Sequence, residues 1–170
     1  MIHLYFGDGK GKTTAAVGLA VRALGQGIPV VFVQFLKSRP VGEVKLLEKL
    51  GAIVLRGKAT EGFASRMTEE EKIETKRISN HNFEKALLLC KKKSCVLLVL
   101  DEVCAAWNLG LVDRVEIEYL ISNKTENMEI ILTGRNPPPV MIEKADYVTE
   151  MKKEKHPFDA GVSARRGIEF

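Results

Sequence analysis

The stretch GDGKGKTT at residues 7–14 carries residue types that bind phosphate groups. Its three glycines have no Cβ, so successive backbone N–H groups can turn toward one concavity, and a helix that follows adds the partial positive charge of its N-terminus. A lysine then supplies a full cation, and a threonine hydroxyl can bind Mg²⁺. The stretch therefore predicts a loop that holds a triphosphate, formed by Gly7, Asp8, Gly9, Lys10, Gly11, Lys12, Thr13 and Thr14.

The spacing of this loop differs by one residue from the usual phosphate-binding pattern, G-x-x-x-x-G-K-[ST]. Counting back from Gly11, Lys12 and Thr13 puts the first glycine of that pattern at position 6, where the chain has Phe6. The first glycine follows one position later, at Gly7. The loop is thus shorter than usual, and a glycine-rich turn without a ligand is the alternative to a phosphate site.

A pair of carboxylates follows a second apolar run, because the segment VLLVLDEV ends its hydrophobic part at Asp101 and Glu102. If this run is a strand parallel to the one before the loop, both carboxylates reach the same edge of the sheet and can bind a phosphate-bound Mg²⁺. Acidic residues also end strands as solvated tips or helix caps, so that alternative stays open. Arg135, after ILTG, can bind phosphate or pair with a carboxylate.

Short apolar runs must position these residues. They are typical of buried parallel strands and read IHLYF, VVFVQFL, AIVLR, VLLVLD, EIILT and DYVTEM. Between them, residues 12–26 are rich in Ala and Leu, and Thr68 with Glu71 forms a capping box that opens a helix toward Lys93. The alternation predicts one α/β domain over residues 1–170, with about six parallel strands, helices on both faces and a ligand site beyond the carboxyl ends of the strands.

The composition sets limits on the class of protein. With 45% hydrophobic and 28% charged residues, the 170-residue chain resembles an ordinary globular domain, and no apolar run is long enough to span a membrane. No export signal is visible, so we expect a cytoplasmic protein. The net charge of +4 suits an anionic ligand and is too small for a nucleic-acid surface. Cys90, Cys95 and Cys104 match no zinc or redox spacing, which favours free thiols.

Five segments together resemble one known family, the corrinoid adenosyltransferases of the phosphate-loop type, or ATP:cob(I)alamin adenosyltransferases. The segments are GDGKGKTTAAVGLAVRALGQG, VVFVQFLK, VLDEV, ILTGR and KHPFDAGVSARRGIEF. The likeness runs over nearly the whole chain, and the shortened loop and the KHPFDAGV ending are its most specific parts. It implies a three-layer fold like that of the phosphate-loop (RecA-like) NTPases.

The resemblance implies a reaction and a role for each loop residue. Family members bind ATP reversed end to end, so the ribose 5′ carbon faces Co(I) of a reduced corrinoid and triphosphate leaves. A different loop length suits that reversal. Lys12, Thr13 and Glu102 are then the catalytic residues, and Thr13, Glu102 and Asp101 hold Mg²⁺. Arg22 matches a position near the sugar and base, although it could equally cap helix carbonyls.

The resemblance is weaker on the corrinoid side. Family members present aromatic residues from a segment G-F-x-W, whereas this chain has Gly62 and Phe63 with Ser65 in place of the tryptophan. Phe63 is therefore a candidate corrinoid contact, with plain packing as the alternative. The family also implies a homodimer and a flavoprotein or flavodoxin-type reductant. Because the chain begins only a few residues before the loop, we expect it to lack the N-terminal extension of some relatives.

Two other functions stay open at this point. A small-molecule kinase or ATPase with ordinary γ-phosphate chemistry would share the lysine and the carboxylates, and it would release ADP. A carrier that binds ATP or an adenosylated corrinoid without turnover would share the whole site. The missing second aromatic residue at Ser65 is the feature that favours the carrier.

Overall fold

The computed structural model describes residues 1–37, 40–57, 67–91 and 96–168. Within them lie six strands: β1 (Ile2–Phe6), β2 (Val30–Gln34), β3 (Ile53–Arg56), β4 (Val96–Asp101), β5 (Met128–Gly134) and β6 (Tyr147–Glu150). They form one sheet in the spatial order β3, β2, β4, β5, β1, β6, and every pairing is parallel. The predicted sheet of about six parallel strands is confirmed.

Helices connect the strands in the described part of the chain. They are α1 (Lys12–Gly25), α2 (Gly42–Lys49), α3 (Glu69–Lys91), α4 (Val103–Asn108), α5 (Arg114–Ser122) and α6 (Pro139–Lys144), followed by a 3₁₀ turn at Pro157–Ala160. The predicted capping box opens α3: the Thr68 N–H donates to Glu71 Oε2 at 2.8 Å, and the Glu71 N–H donates to Thr68 Oγ1 at 3.2 Å. The helix prediction for residues 12–26 is confirmed to within one residue.

The sheet buries both faces of its central strands, while the edge strand β6 is exposed. On one face Ala16 and Ala20 of α1 and Leu47 of α2 pack against Phe32 and Val99. On the other face α3, α4, α5 and α6 pack against a larger cluster that includes Leu4, Val33, Leu98, Leu100, Ile130, Leu132, Phe83, Ala106, Ile117 and Met141. Strand residues that alternate between the two clusters explain why these runs are apolar throughout. The predicted three-layer α/β architecture is confirmed.

The strand order decides which loops meet. β5 lies between β1 and β4, with Phe6 beside Gly134 and Leu100 beside Leu132. β2 flanks β4 on its other side, with Gln34 beside Asp101. The carboxyl ends of these four strands therefore lie side by side at one edge of the sheet, where ligands bind in folds of this kind.

Two of the cysteines are buried free thiols, as the sequence predicts, and Cys95 lies outside the described residues. Burial raises the pKa of Cys90 to about 11 and that of Cys104 to about 12, so both thiols stay protonated and unreactive near neutral pH. Among the described residues, no helix has the length and apolar character needed to cross a membrane.

Candidate active site

The glycine loop joins β1 to α1 at the carboxyl edge of the sheet. Gly7 has a φ of 110° and Gly11 a φ of 120°, conformations that residues with a Cβ rarely adopt. Lys12 and Thr13 follow as the first residues of α1. Strand, glycine-rich turn and helix therefore succeed one another in the order that the phosphate-loop interpretation requires.

The C-terminal segment from Met151 onward, which we call the tail, packs directly on this loop. The Gly9 N–H donates to the Met151 carbonyl oxygen at 2.7 Å, and the Met151 N–H donates to the Phe6 carbonyl oxygen at 2.7 Å. A Cβ on Gly7 would lie 2.5 Å from the Met151 carbonyl oxygen, and one on Gly9 would lie 2.6 Å from it. The Gly9 N–H thus bonds to the tail and does not face an open concavity, in contrast to the prediction that the loop amides face a ligand. Space for the tail is a second reason for glycine at these positions.

Asp8 adds a side-chain contact between the loop and the tail. Its Oδ1 accepts a hydrogen bond from the Lys153 N–H at 3.1 Å. That hydrogen bond is the main cause that lowers the pKa of Asp8, which is fully exposed. The shortened loop is therefore joined to residues 151–153, which lie just before the KHPFDAGV ending.

Lys12 is almost fully buried, with 9% of its surface exposed. Its Nζ donates a hydrogen bond to the Gly9 carbonyl oxygen at 2.7 Å. Burial is the largest cause that lowers the pKa of Lys12, and the charge of Glu102 acts in the opposite direction. A buried cation costs free energy unless an anion compensates it, so an anionic ligand at this loop would favour the charged lysine.

Asp101, at the end of β4, is the centre of the polar network at this edge. Its side chain is fully buried, and four donors in the described residues bond to it. Oδ1 accepts from the hydroxyls of Thr13 at 2.8 Å and Thr133 at 2.7 Å. Oδ2 accepts from Gln34 Nε2 at 3.1 Å and from Lys37 Nζ at 2.9 Å. Asp101 therefore ties together β2, β4, β5 and α1.

Glu102 follows in a left-handed backbone conformation, with a φ of 63°. Its N–H donates to Thr133 Oγ1 at 2.9 Å. Burial is the largest cause that raises the pKa of the Glu102 carboxyl, although the nearby charge of Lys37 lowers it. Left-handed backbone costs a residue with a Cβ about 1–2 kcal/mol, a strain that the surrounding packing must hold in place.

Lys37, which the sequence analysis did not single out, lies among these groups. Its Nζ donates to Thr13 Oγ1 at 2.8 Å and to Asp101 Oδ2 at 2.9 Å, and lies 3.9 Å from Glu102 Oε1. Leu36, just before it, has a φ of 56°. We call the three oxygen atoms, Thr13 Oγ1, Asp101 Oδ2 and Glu102 Oε1, the cation seat.

Sequence reasoning also missed Gln34 and Thr133. Both occur, like Lys37, in segments that carry the family resemblance, VVFVQFLK and ILTGR. Gln34 and Thr133 lie at or near the carboxyl ends of β2 and β5, and Lys37 lies three residues past β2. The rule that ligand sites lie at this edge was the signal that could have found them. Among the described residues, Gln34 Oε1 is a buried acceptor with no hydrogen-bond partner.

Comparison with known proteins identifies the family. A sequence profile described as ATP:corrinoid adenosyltransferase BtuR/CobO/CobP matches residues 1–170. The chain belongs to this family. It is 35% identical over 173 residues to a corrinoid adenosyltransferase of a Sinorhizobium species, which covers 100% of this chain and 80% of the relative. A corrinoid adenosyltransferase of Escherichia coli K12 is 34% identical over 173 residues, with 100% of this chain and 85% of the relative covered.

Membership in the corrinoid adenosyltransferase family identifies the chain as an enzyme and implies ATP and a corrinoid as its substrates. A third relative, a corrinoid adenosyltransferase of Pseudomonas aeruginosa, is 33% identical over 171 residues, covering 100% of this chain and 83% of the relative. The resemblance that the loop and tail motifs suggested is therefore confirmed.

The other predicted site residues of the adenosyltransferase are Thr14, Arg22 and Phe63. Thr14 is exposed on the first turn of α1. Arg22 lies in the last turn of the same helix, ten residues after Lys12 and thus about 15 Å further along the axis. Arg22 is therefore not part of the cluster around Asp101, and its contact with sugar and base stays a prediction. Phe63 lies outside the described residues.

Lys10 lines a cleft of about 260 Å³ between the loop and the tail. The tail contributes basic and apolar side chains to this cleft, among them His156, Phe158 and Arg165. Arg135 is exposed after β5, and its charge lowers the pKa values of Glu102, Lys12 and Asp8. Arg135 therefore lies close enough to act on the site through its charge.

Proposed function

We propose that the chain transfers the 5′-deoxyadenosyl group of ATP to Co(I) of a reduced corrinoid and releases inorganic triphosphate. The observation that carries the proposal is the contact between the shortened loop and the tail, through the Gly9 N–H and the Met151 carbonyl oxygen. The KHPFDAGV ending begins four residues after Met151, and its His156 and Phe158 line one cleft with Lys10 of the loop. The two segments that resemble the family most specifically therefore lie next to each other.

The electron balance of the reaction explains why it needs no general base. Co(I) supplies the electron pair for the new bond to the 5′ carbon. The bond between that carbon and the triphosphate oxygen breaks, and the oxygen leaves with its electron pair. The protein therefore has two tasks, to hold the reacting atoms in line and to stabilise the charge that develops on the triphosphate.

Lys12 is the residue best suited to the second task. Its ammonium is buried at the start of α1, where the helix N-terminus adds partial positive charge. The hydrogen bond to the Gly9 carbonyl oxygen holds the ammonium against the loop. We propose that the ammonium contacts the triphosphate, with Gly7, Asp8, Gly9, Lys10, Gly11 and Thr14 shaping the loop around it.

The position of the Lys37 ammonium among three oxygen atoms supports the proposal that the cation seat accepts Mg²⁺. Among the described residues, no group of three or more His, Cys, Asp or Glu side chains converges. Mg²⁺ does not require such a group, because it is often bound by one or two carboxylates together with substrate phosphates. We propose that Thr13, Asp101 and Glu102 hold the ion. Bound Mg²⁺ neutralises part of the charge of the leaving triphosphate.

The corrinoid side of the proposal rests on the sequence. We propose that Phe63 contacts the corrinoid and that Arg22 contacts the sugar or base of ATP. A homodimer and a flavodoxin-type reductant are proposed on the family resemblance.

Product analysis tests the proposal. The protein is incubated anaerobically with Mg-ATP and chemically reduced Co(I) corrinoid while the light-sensitive absorbance of the adenosyl–cobalt bond is followed. We expect adenosylated corrinoid and triphosphate in equal amounts over many turnovers. ADP without a cobalt–carbon bond would instead identify a kinase or ATPase, and binding limited to one turnover would identify a carrier.

A further inference from the structure

Lys37 occupies a position that a divalent cation would need. Its ammonium is hydrogen-bonded to Thr13 Oγ1 and Asp101 Oδ2 and lies 3.9 Å from Glu102 Oε1. Mg²⁺ binds oxygen ligands at about 2.0–2.1 Å. An ion at that distance from the same oxygens would overlap the ammonium, so the two cations exclude each other from the cation seat.

The hydrogen-bond capacity of Asp101 leads to the same conclusion. An ionised carboxylate has about four lone-pair sites. Four donors in the described part of the chain already use them, two on Oδ1 and two on Oδ2. A metal ion can therefore bind Asp101 directly only if one donor leaves.

Lys37 is the donor that can leave most easily. Thr13, Gln34 and Thr133 are held in α1, β2 and β5, whereas Lys37 lies on the loop after β2. Its side chain is 29% exposed, so the flexible methylene chain can carry the ammonium toward solvent. Thr13 Oγ1 also accepts a hydrogen bond from the Lys37 ammonium, so the departure of Lys37 frees a lone pair on this oxygen.

We propose that Lys37 is an internal competitor for the cation seat: its ammonium holds the seat until a divalent cation arrives with the triphosphate, and it then moves out. This inference rests on the proposed role of the cation seat in Mg-ATP binding. It makes metal binding depend on nucleotide, because only the added charge of the triphosphate lets the metal displace the ammonium. Lys37 is thus a positioning residue that controls metal loading.

The test measures Mn²⁺ binding by electron paramagnetic resonance, with and without ATP, in the wild type and in two charge-matched variants, Lys37→Gln and Arg135→Gln. Arg135 is a suitable control because its charge acts on Glu102 and Lys12, while no hydrogen bond in the described residues joins it to the cation seat. Without ATP, we expect Lys37→Gln to bind Mn²⁺ at least about tenfold more tightly than the wild type. Arg135→Gln should change the affinity less than about threefold.

A measurement on the wild type makes the test independent of whether the variants fold. Lysine acylation is quantified by mass spectrometry at increasing Mg²⁺ in the presence of a fixed concentration of ATP. We expect labelling of Lys37 to rise as Mg²⁺ fills the cation seat, while labelling of Lys45, exposed on α2, stays constant.

The outcomes separate this inference from the proposed function. Unchanged Mn²⁺ affinity in Lys37→Gln, an equal gain in Arg135→Gln, or constant labelling of Lys37 would each overturn the competitor role and leave adenosyl transfer untouched. If Mn²⁺ fails to bind the wild type even with ATP, the cation seat itself is wrong, and the metal part of the proposed function falls with it.

Discussion

Thr133→Val is the sharpest test of the network around Asp101. The Thr133 hydroxyl is fully buried and makes two hydrogen bonds, donating to Asp101 Oδ1 at 2.7 Å and accepting from the Glu102 N–H at 2.9 Å. Valine has nearly the same shape but can make neither bond. The substitution therefore removes polar contacts while creating no cavity.

The magnitude follows from these two contacts. A hydrogen bond to a charged group contributes about 1.5–3 kcal/mol, and an unpaired N–H costs about 1 kcal/mol or more. We expect the free energy of unfolding to fall by about 3 kcal/mol, which corresponds to a drop in Tm of roughly 6–12 °C for a domain of this size.

Urea denaturation at neutral pH and thermal unfolding measure the loss, with Thr149→Val as the matched control. Thr149 is exposed on the edge strand β6, where the same substitution should change stability by less than about 0.5 kcal/mol. If Thr133→Val also stays within about 0.5 kcal/mol of the wild type, the Thr133 hydroxyl does not support Asp101 and the reasoning fails.

Three further predictions address Lys12, the contact between the loop and the tail, and Glu102. Lys12→Ala should weaken ATP binding by about 10- to 100-fold in calorimetry while leaving the circular dichroism spectrum unchanged; undiminished affinity would place the triphosphate elsewhere. Gly9→Ala should displace the tail, because its Cβ would lie 2.6 Å from the Met151 carbonyl oxygen, and hydrogen exchange of the tail should increase. Gly18→Ala, where a Cβ meets nothing within 4 Å, should leave the tail protected; equal exchange in both variants would contradict the loop–tail contact. In protein without metal or nucleotide, the stability of Glu102→Gln relative to the wild type should rise with pH from the ordinary carboxyl pKa of 4.5 up to the raised pKa of Glu102. Below that window the Glu102 carboxyl is protonated in both the folded and the unfolded wild type. Within it the buried carboxyl stays protonated while the unfolded chain ionises, which favours unfolding of the wild type only, so a flat difference in unfolding free energy would refute the cause assigned to the shift.

Much of the architecture was predictable from local sequence. The six runs became the six strands. In the central strands β2, β4 and β5 they are nearly continuous in apolar residues because both faces are buried, whereas the edge strand β6 is exposed at every position. Thr68 and Glu71 marked the start of α3, since each side chain bonds to the backbone of the other over three residues. The glycine loop and the Asp101–Glu102 pair were also recognisable from local sequence, because each brings its phosphate- or metal-binding groups together within a few consecutive positions.

The arrangement around Asp101 was decided by the tertiary structure. The four residues that bond to Asp101 come from β2 and its following loop (Gln34 and Lys37), from β5 (Thr133) and from α1 (Thr13). They converge because β5 lies between β1 and β4 and β2 flanks β4. No local pattern encodes that strand order, so no spacing in the sequence could predict that Lys37 would reach the cation seat. The sequence alone therefore determined the elements and the kind of ligand, through periodicity and residue chemistry. Only the packing of the sheet decided which distant side chains bond to Asp101. A carboxylate at the end of a central strand takes its partners from the neighbouring strands and loops.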